Sequence, residues 1–123
     1  MTRLHHVNVV VPPGATSRVV PFYADVLGLR QVRKPKEGVA QTGAWFDIGD
    51  TGAQVHVSER EGARHPQTHF GLVVADFDDV LARVAAADAP WEDQPPIFSG
   101  RRGFTRDPEG NRVELLEQAG ALA

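Results

Sequence analysis

The sequence predicts an α+β fold built from two repeated βαβββ modules. Three observations carry that expectation. Short β-branched runs are bounded by Gly and Pro, each first run is followed by a stretch with helical apolar spacing, and the whole order restarts after a polar loop.

Residues 4–11 end in a β-branched run and read as a strand, stopped by Pro12-Pro13-Gly14. Residues 17–27 place Val19, Val20, Phe22, Tyr23, Val26 and Leu27 at helical spacings, with Gly28 where a helix-ending glycine belongs. Pro21 lacks the N–H that a helix interior needs, so the helix is expected to start near Val20 or to have a distorted first turn. Strands follow at about residues 29–34, 43–48 and 53–59, the last two joined by the turn Gly49-Asp50-Thr51-Gly52.

Residues 60–66 are polar and contain Gly and Pro, a loop between halves. Residues 69–74 then read as a strand, and Asp76 caps a helix whose apolar face is Phe77, Val80, Leu81 and Val84. Residues 90–96 form a poor, proline-broken strand or a loop. Residues 103–106 and 111–117 pair across Asp107-Pro108-Glu109-Gly110-Asn111. His6-Val7-Asn8-Val9-Val10-Val11 matches His69-Phe70-Gly71-Leu72-Val73-Val74, and Val55-His56-Val57-Ser58-Glu59 matches Val113-Glu114-Leu115-Leu116-Glu117. Two matches in the same order suggest a duplicated unit. The organisation is thus one domain over 1–123, with module 1 at about 1–60 and module 2 at about 67–119.

With 123 residues, the chain is long enough for a hydrophobic core, and 41% apolar with 24% charged residues is ordinary for a globular protein. The net charge of −3, from 13 basic and 16 acidic residues without a basic run, gives no support to a nucleic-acid or membrane-surface partner. There are no cysteines, so disulfides, thiolate zinc sites and cysteine nucleophiles are excluded. The start Met1-Thr2-Arg3-Leu4-His5-His6 has no apolar leader region, and no apolar run approaches a membrane span, so a cytoplasmic location is the expectation.

Side chains alternate across a strand, which sorts each run into two faces. Val7, Val9 and Val11 oppose His6, Asn8 and Val10. Val55 and Val57 oppose Gln54, His56 and Ser58. Phe70, Leu72 and Val74 oppose His69, Gly71 and Val73, while Val113 and Leu115 oppose Arg112, Glu114 and Leu116. The apolar faces pack on the helices, which leaves His6, His56, His69 and Glu114 on the other face. For any one of these residues a merely wet sheet face is a sufficient account. Together they occupy the first and last strands of both halves, and a duplicated sheet curling into a trough would bring those strands side by side. Three imidazoles and one carboxylate suit a single divalent ion, Zn²⁺, Ni²⁺, Fe²⁺, Mn²⁺ or Co²⁺, with positions left for water or substrate.

Leu4-His5-His6-Val7, Phe22-Tyr23-Ala24-Asp25-Val26-Leu27-Gly28-Leu29, His69-Phe70-Gly71-Leu72-Val73-Val74 and Asp107-Pro108-Glu109-Gly110-Asn111-Arg112-Val113-Glu114-Leu115 together resemble the vicinal oxygen chelate superfamily, the glyoxalase, bleomycin-resistance and extradiol-dioxygenase group. The resemblance spans essentially the whole chain. It implies paired βαβββ modules, metal ligands at His6, His56, His69 and Glu114, and a homodimer in which one site draws its modules from two subunits. The His56 position is often Glu or Gln in related enzymes and is not always a ligand.

The implied activity is a metal-dependent lyase or isomerase of the glyoxalase type, acting on a small molecule with vicinal oxygens. Glu114 is the expected proton-abstracting base, with His56 second, and a pure ligand role for Glu114 stands beside it. The alternatives are an Fe²⁺ extradiol-type dioxygenase and a metal-free antibiotic-sequestering protein. Thiol transfer to an antibiotic epoxide ranks lower because Gly110-Asn111-Arg112 departs from the Gly-His-Lys type string of those members. Trp45, Phe46, Trp91, Phe98 and Phe104 would line a drug pocket or, more commonly for strand aromatics, pack in the core. Arg101 and Arg102 read as an exposed loop pair, or as contacts to an anionic substrate. Glu59 and Glu117 are expected to face solvent.

Overall fold

The computed structural model describes residues 1–117. The chain divides into two compact units, Met1–Arg64 and His65–Ala123. The C-terminal limit expected for the second module, residue 119, lies outside the described residues.

The first unit contains strands β1 (His6–Val11), β2 (Arg30–Val32), β3 (Ala44–Asp47) and β4 (Gln54–Glu59) in the order β1-β4-β3-β2. The second contains β5 (His69–Val73), β6 (Glu92–Gln94), β7 (Arg102–Arg106) and β8 (Arg112–Leu116) in the order β5-β8-β7-β6. In each unit the first strand runs parallel to the last, and the remaining pairs are antiparallel. This is the two-module α+β arrangement that the sequence predicts.

The alternating pattern decides what is buried. In the first unit Val9, Val11, Val55, Val57, Ala44 and Phe46 form the inner sheet face, and Val19, Phe22, Tyr23, Val26 and Leu27 are buried with them. The Tyr23 and Phe46 rings meet at 5.6 Å. In the second unit Leu72, Val113 and Leu115 are buried together with Phe77, Val80 and Val84 of helix α2 (Phe77–Ala86). Leu81 is only half-buried. Asp76 caps α2 by accepting from the Asp79 N–H at 3.4 Å, and Asp78 and Asp79 add negative charge to its first turn.

Helix α1 (Thr16–Pro21) begins earlier than the proline suggested. Pro21 ends this helix instead of starting it. It offers no N–H to the carbonyl four residues back, and the chain continues as a wider π-helical turn, Phe22–Val26, in which Leu27 N–H donates to Phe22 O at 3.0 Å. Ala15 supplies no side-chain cap, and Glu59 does that work from β4. Its carboxylate accepts from Gly14 N–H at 2.8 Å and from the Thr16 hydroxyl at 2.6 Å, contacts that hold its pKa below the usual carboxylate value. Glu59 is therefore tied to the start of α1, not simply solvated.

Residues 90–96 do contain a strand. β6 is three residues long and lies on a sheet edge between Pro90 and Pro95, where missing N–H groups cost no ladder bonds. Beside it, Gly103 of β7 is required by close approach, since a Cβ there would lie 2.4 Å from Trp91 Cζ2 and 2.6 Å from the Glu92 carbonyl oxygen. Asp107 sets the β7–β8 turn by accepting from Glu109 N–H at 2.8 Å, Asn111 N–H at 3.0 Å and the Asn111 side-chain amide at 2.9 Å. Among the described residues no helix is long and apolar enough to cross a membrane.

On the inner face of β7, Thr105 is 1% exposed and its hydroxyl has no hydrogen-bond partner. A buried hydroxyl without a partner is destabilising, whereas a methyl of the same size is not. Thr105→Val is expected to raise unfolding stability by about 1 kcal/mol in urea titration. An unchanged or lower midpoint would show that the hydroxyl is satisfied in solution.

Candidate functional site

In the first unit the outer sheet face carries a three-ring stack. Trp45 and His56 are direct cross-strand partners, and His6 lies diagonally on β1 because Asn8 is the partner of His56. The His56 ring is 4.0 Å from Trp45 at 4° and 4.1 Å from His6 at 17°. This sandwich leaves His56 only 8% exposed although it stands on the outer face. His6 itself is exposed, with its Nδ1 3.0 Å from Nδ1 of His5.

The tautomer of His56 follows from its neighbours. Arg30 pairs with Asp47, and Asp47 Oδ1 accepts from the Gln54 side-chain amide at 2.9 Å. That contact turns the Gln54 oxygen toward His56 Nε2, 2.8 Å away. An amide oxygen only accepts, so Nε2 carries the proton and Nδ1 the lone pair. Burial lowers the His56 pKa from 6.5 to about 4, helped by the neighbouring charges of His6, His5 and Lys34.

In the second unit the outer face carries His69, Glu114 and two arginines. Gly71 is the cross-strand partner of Glu114, and His69 sits one step along β5 on the same face. His69 Nδ1 lies 3.0 Å from the Gln67 carbonyl oxygen and therefore donates to it. In the neutral ring this leaves the lone pair on Nε2, which faces Glu114 Oε1 at 3.6 Å. That separation is too long for a hydrogen bond. It is close to the roughly 3.4 Å expected between two donors bound about 2.1 Å from one tetrahedral ion.

Glu114 is 9% exposed, and its other oxygen, Oε2, accepts from Arg102 Nη1 at 2.8 Å. Phe104 underlies the cluster, with the His69 ring edge-on at 5.0 Å and the Arg112 guanidinium 3.5 Å from its ring centre. The outer face thus places two metal-compatible donors side by side over an aromatic floor.

Of the four expected ligands, His6 and His56 come together in one unit, and His69 and Glu114 in the other. Among the described residues no group of three or more His, Cys, Asp or Glu side chains is arranged to hold an ion. Arg102 is not in an exposed loop. It belongs to β7, and its guanidinium is largely buried against Glu114. The β7–β8 turn contained the clue, since its register makes Phe104 the partner of Glu114 and puts Arg102 on the same face. Arg101 does lie at the surface, but paired with Glu117 at 2.8 Å and Asp78 at 3.0 Å. The Arg101 contacts pull the Glu117 pKa down to about 2. Phe46 is core, Trp91 packs edge-on against Phe77, and Phe98 is half-buried.

The low pKa of His56 makes stability depend on pH. Between about 4 and 6.5 the unfolded chain binds the proton and the folded chain does not, so stability rises with pH across that window and is lost as pH falls through it. In the metal-free protein, the His56 ring should titrate near pH 4 by ¹H–¹⁵N NMR. The pH slope in urea melts between 7 and about 5 should be shallower for His56→Phe, which keeps the stack. A His56 midpoint near 6.5 would contradict the buried, neutral ring.

The model of the Glyoxalase/Bleomycin resistance protein/Dioxygenase superfamily matches residues 3–115. A lactoylglutathione lyase of Haemophilus influenzae is 25% identical over 115 residues, covering 85% of this chain and 85% of that protein. Two solved structures share the fold. A glyoxalase family protein from Bacillus anthracis has a TM-score of 0.81 at 24% identity, covering 94% of this chain and 93% of the other. An antibiotic binding protein from Streptomyces sp. CB03234 has a TM-score of 0.71 at 18% identity, covering 94% and 97%. With its family match running through both units and both carrying the same strand order, the chain belongs to the glyoxalase/bleomycin resistance protein/dioxygenase superfamily.

Proposed function

We propose that the protein is a divalent-metal-dependent enzyme of the glyoxalase type, a lyase or isomerase acting on a small molecule with vicinal oxygens. The observation that carries this reading is the pair His69 Nε2 and Glu114 Oε1, two electron-rich atoms 3.6 Å apart with no proton-sharing contact between them. The similarity to a lactoylglutathione lyase supports it.

Within this reading His6, His69 and Glu114 are the residues that would hold the ion. His56 is the weakest member of the expected set. Its ring is nearly parallel to that of His6, and an imidazole binds a metal in its own plane, so the two rings as stacked do not aim at one point. We assign His56 to orienting His6. When bound, the ion stabilises negative charge that develops on the substrate's paired oxygens.

The remaining work belongs to the chain. Glu114 Oε1, which has no hydrogen-bond donor among the described residues, takes the proton from the carbon beside the carbonyl. His56 is a poorer base than an ordinary imidazole, since its pKa is lowered to about 4. The Gln67 carbonyl fixes the His69 tautomer, and Trp45 covers the far side of the His56 ring.

Protein purified without a histidine tag should bind one Zn²⁺, Ni²⁺ or Co²⁺ by calorimetry. Glu114→Ala and His69→Ala should each weaken binding beyond the ~10–100-fold that loss of an outer contact costs, and His56→Ala should fall within that range. Full affinity in Glu114→Ala would reject the donor set. A wild-type protein that binds no ion but retains an aromatic drug would instead support the metal-free antibiotic-sequestering alternative. Fe²⁺-dependent ring opening of a catechol would support the dioxygenase alternative.

A further inference from the structure

We infer that Arg102 is a positioning residue that makes Glu114 a one-oxygen ligand, an inference that rests on the metal-dependent reading above. The argument begins with register. Arg102 pairs with Leu116 and Phe104 with Glu114, so period-two alternation places the Arg102 and Glu114 side chains on the same face of neighbouring strands. Their contact is a charged hydrogen bond from Nη1 to Oε2 at 2.8 Å, with both side chains 12% exposed.

The guanidinium is held from a second side as well. Arg102 Nε donates to the Pro95 carbonyl at 2.9 Å, so the arginine does not simply follow the carboxylate as it turns. Oε2 is therefore anchored, and Oε1 alone faces His69 Nε2. Gly71 lies on that side, where a Cβ would come into ordinary contact with Oε1 at 3.6 Å and press on Leu116 Cδ1 at 3.2 Å.

A glutamate without such an anchor can turn both oxygens onto an ion, leaving neither as a proton acceptor. With Oε2 pinned, the carboxylate would keep its place and leave Oε1 as the one oxygen able either to hold an ion or to accept a proton. Arg102 thus acts on the reaction through Glu114 and does not itself touch the reacting atoms. The plain alternative is that the ion pair only fastens β7 to β8.

Infrared difference spectra of Zn²⁺-loaded minus metal-free protein, carrying ¹³C-labelled glutamate, separate these accounts. One-oxygen binding widens the gap between the antisymmetric and symmetric carboxylate stretches relative to the free carboxylate, and two-oxygen binding narrows it. The wild type is expected to show the wide gap, Arg102→Gln the narrow one, and Arg102→Lys the wide one again. A narrow gap in the wild type, or a wide gap in both wild type and Arg102→Gln, overturns the role of Arg102 and leaves metal binding intact. The absence of any Zn²⁺-induced carboxylate band, or a band that survives Glu114→Gln, overturns the metal-dependent reading itself. If Arg102→Gln does not fold by far-UV circular dichroism, the wild-type gap alone decides between one oxygen and two.

Discussion

Parallel pairing of the first strand of each unit with its last strand is the constraint on which the rest depends. A simple meander would have placed β1 beside β2 and β5 beside β6, and the histidine-bearing strands would have been separated by the width of a sheet. Instead Asn8 lies opposite His56 and Gly71 opposite Glu114. Because side chains on neighbouring strands meet directly or at one diagonal step, this register is enough to bring His6 to His56 and His69 to Glu114. The same alternation sends the Val and Leu residues of these strands inward, so the pairing that builds the core also fixes the chemistry of the outer face.

The two pairs have different physical characters. His56 is enclosed by flat rings and linked through Gln54 and Asp47 to Arg30, a chain of contacts that crosses the sheet from β4 to β2. Its surroundings favour the neutral ring and fix where its proton sits. Glu114 is comparably buried, but its neighbour is a cation, the Arg102 guanidinium lying against one of its oxygens. Burial of a charge is tolerated only with such a partner. One unit therefore presents a stacked imidazole with a lowered pKa and the other a carboxylate paired with a guanidinium.

Much of this was legible in the sequence. Strand alternation identified both the core face and the four outer-face residues, because a period of two is preserved whatever the strands pack against. Duplication was legible because the runs beginning at His6 and His69 repeat in order. The failures have specific causes. The start of α1 was misplaced because its cap comes from Glu59, distant in the chain, and because Pro21 is accommodated by a π-helical turn. Edge strand β6 was obscured by its prolines, which an edge tolerates. The stack on His56 depends on χ angles and on which neighbour lies diagonal, and neither is encoded in local pattern.

Arg102 is legible in the sequence as a cation near the second unit's sheet, whereas its buried contact with Glu114 depends on the register of β7 on β8. A carboxylate that is 9% exposed requires a permanent counter-charge. Had His69 been that partner, an imidazolium would occupy Oε1, and any ion would compete with a proton for the same atom. In the neutral His69 ring the geometry avoids this competition. Arg102 satisfies Glu114 through Oε2, and His69 is turned by the Gln67 carbonyl so that its own proton points elsewhere. The charge that makes burial of Glu114 possible is thus placed on the oxygen that the proposed chemistry does not use, and the oxygen it does use is left without a donor.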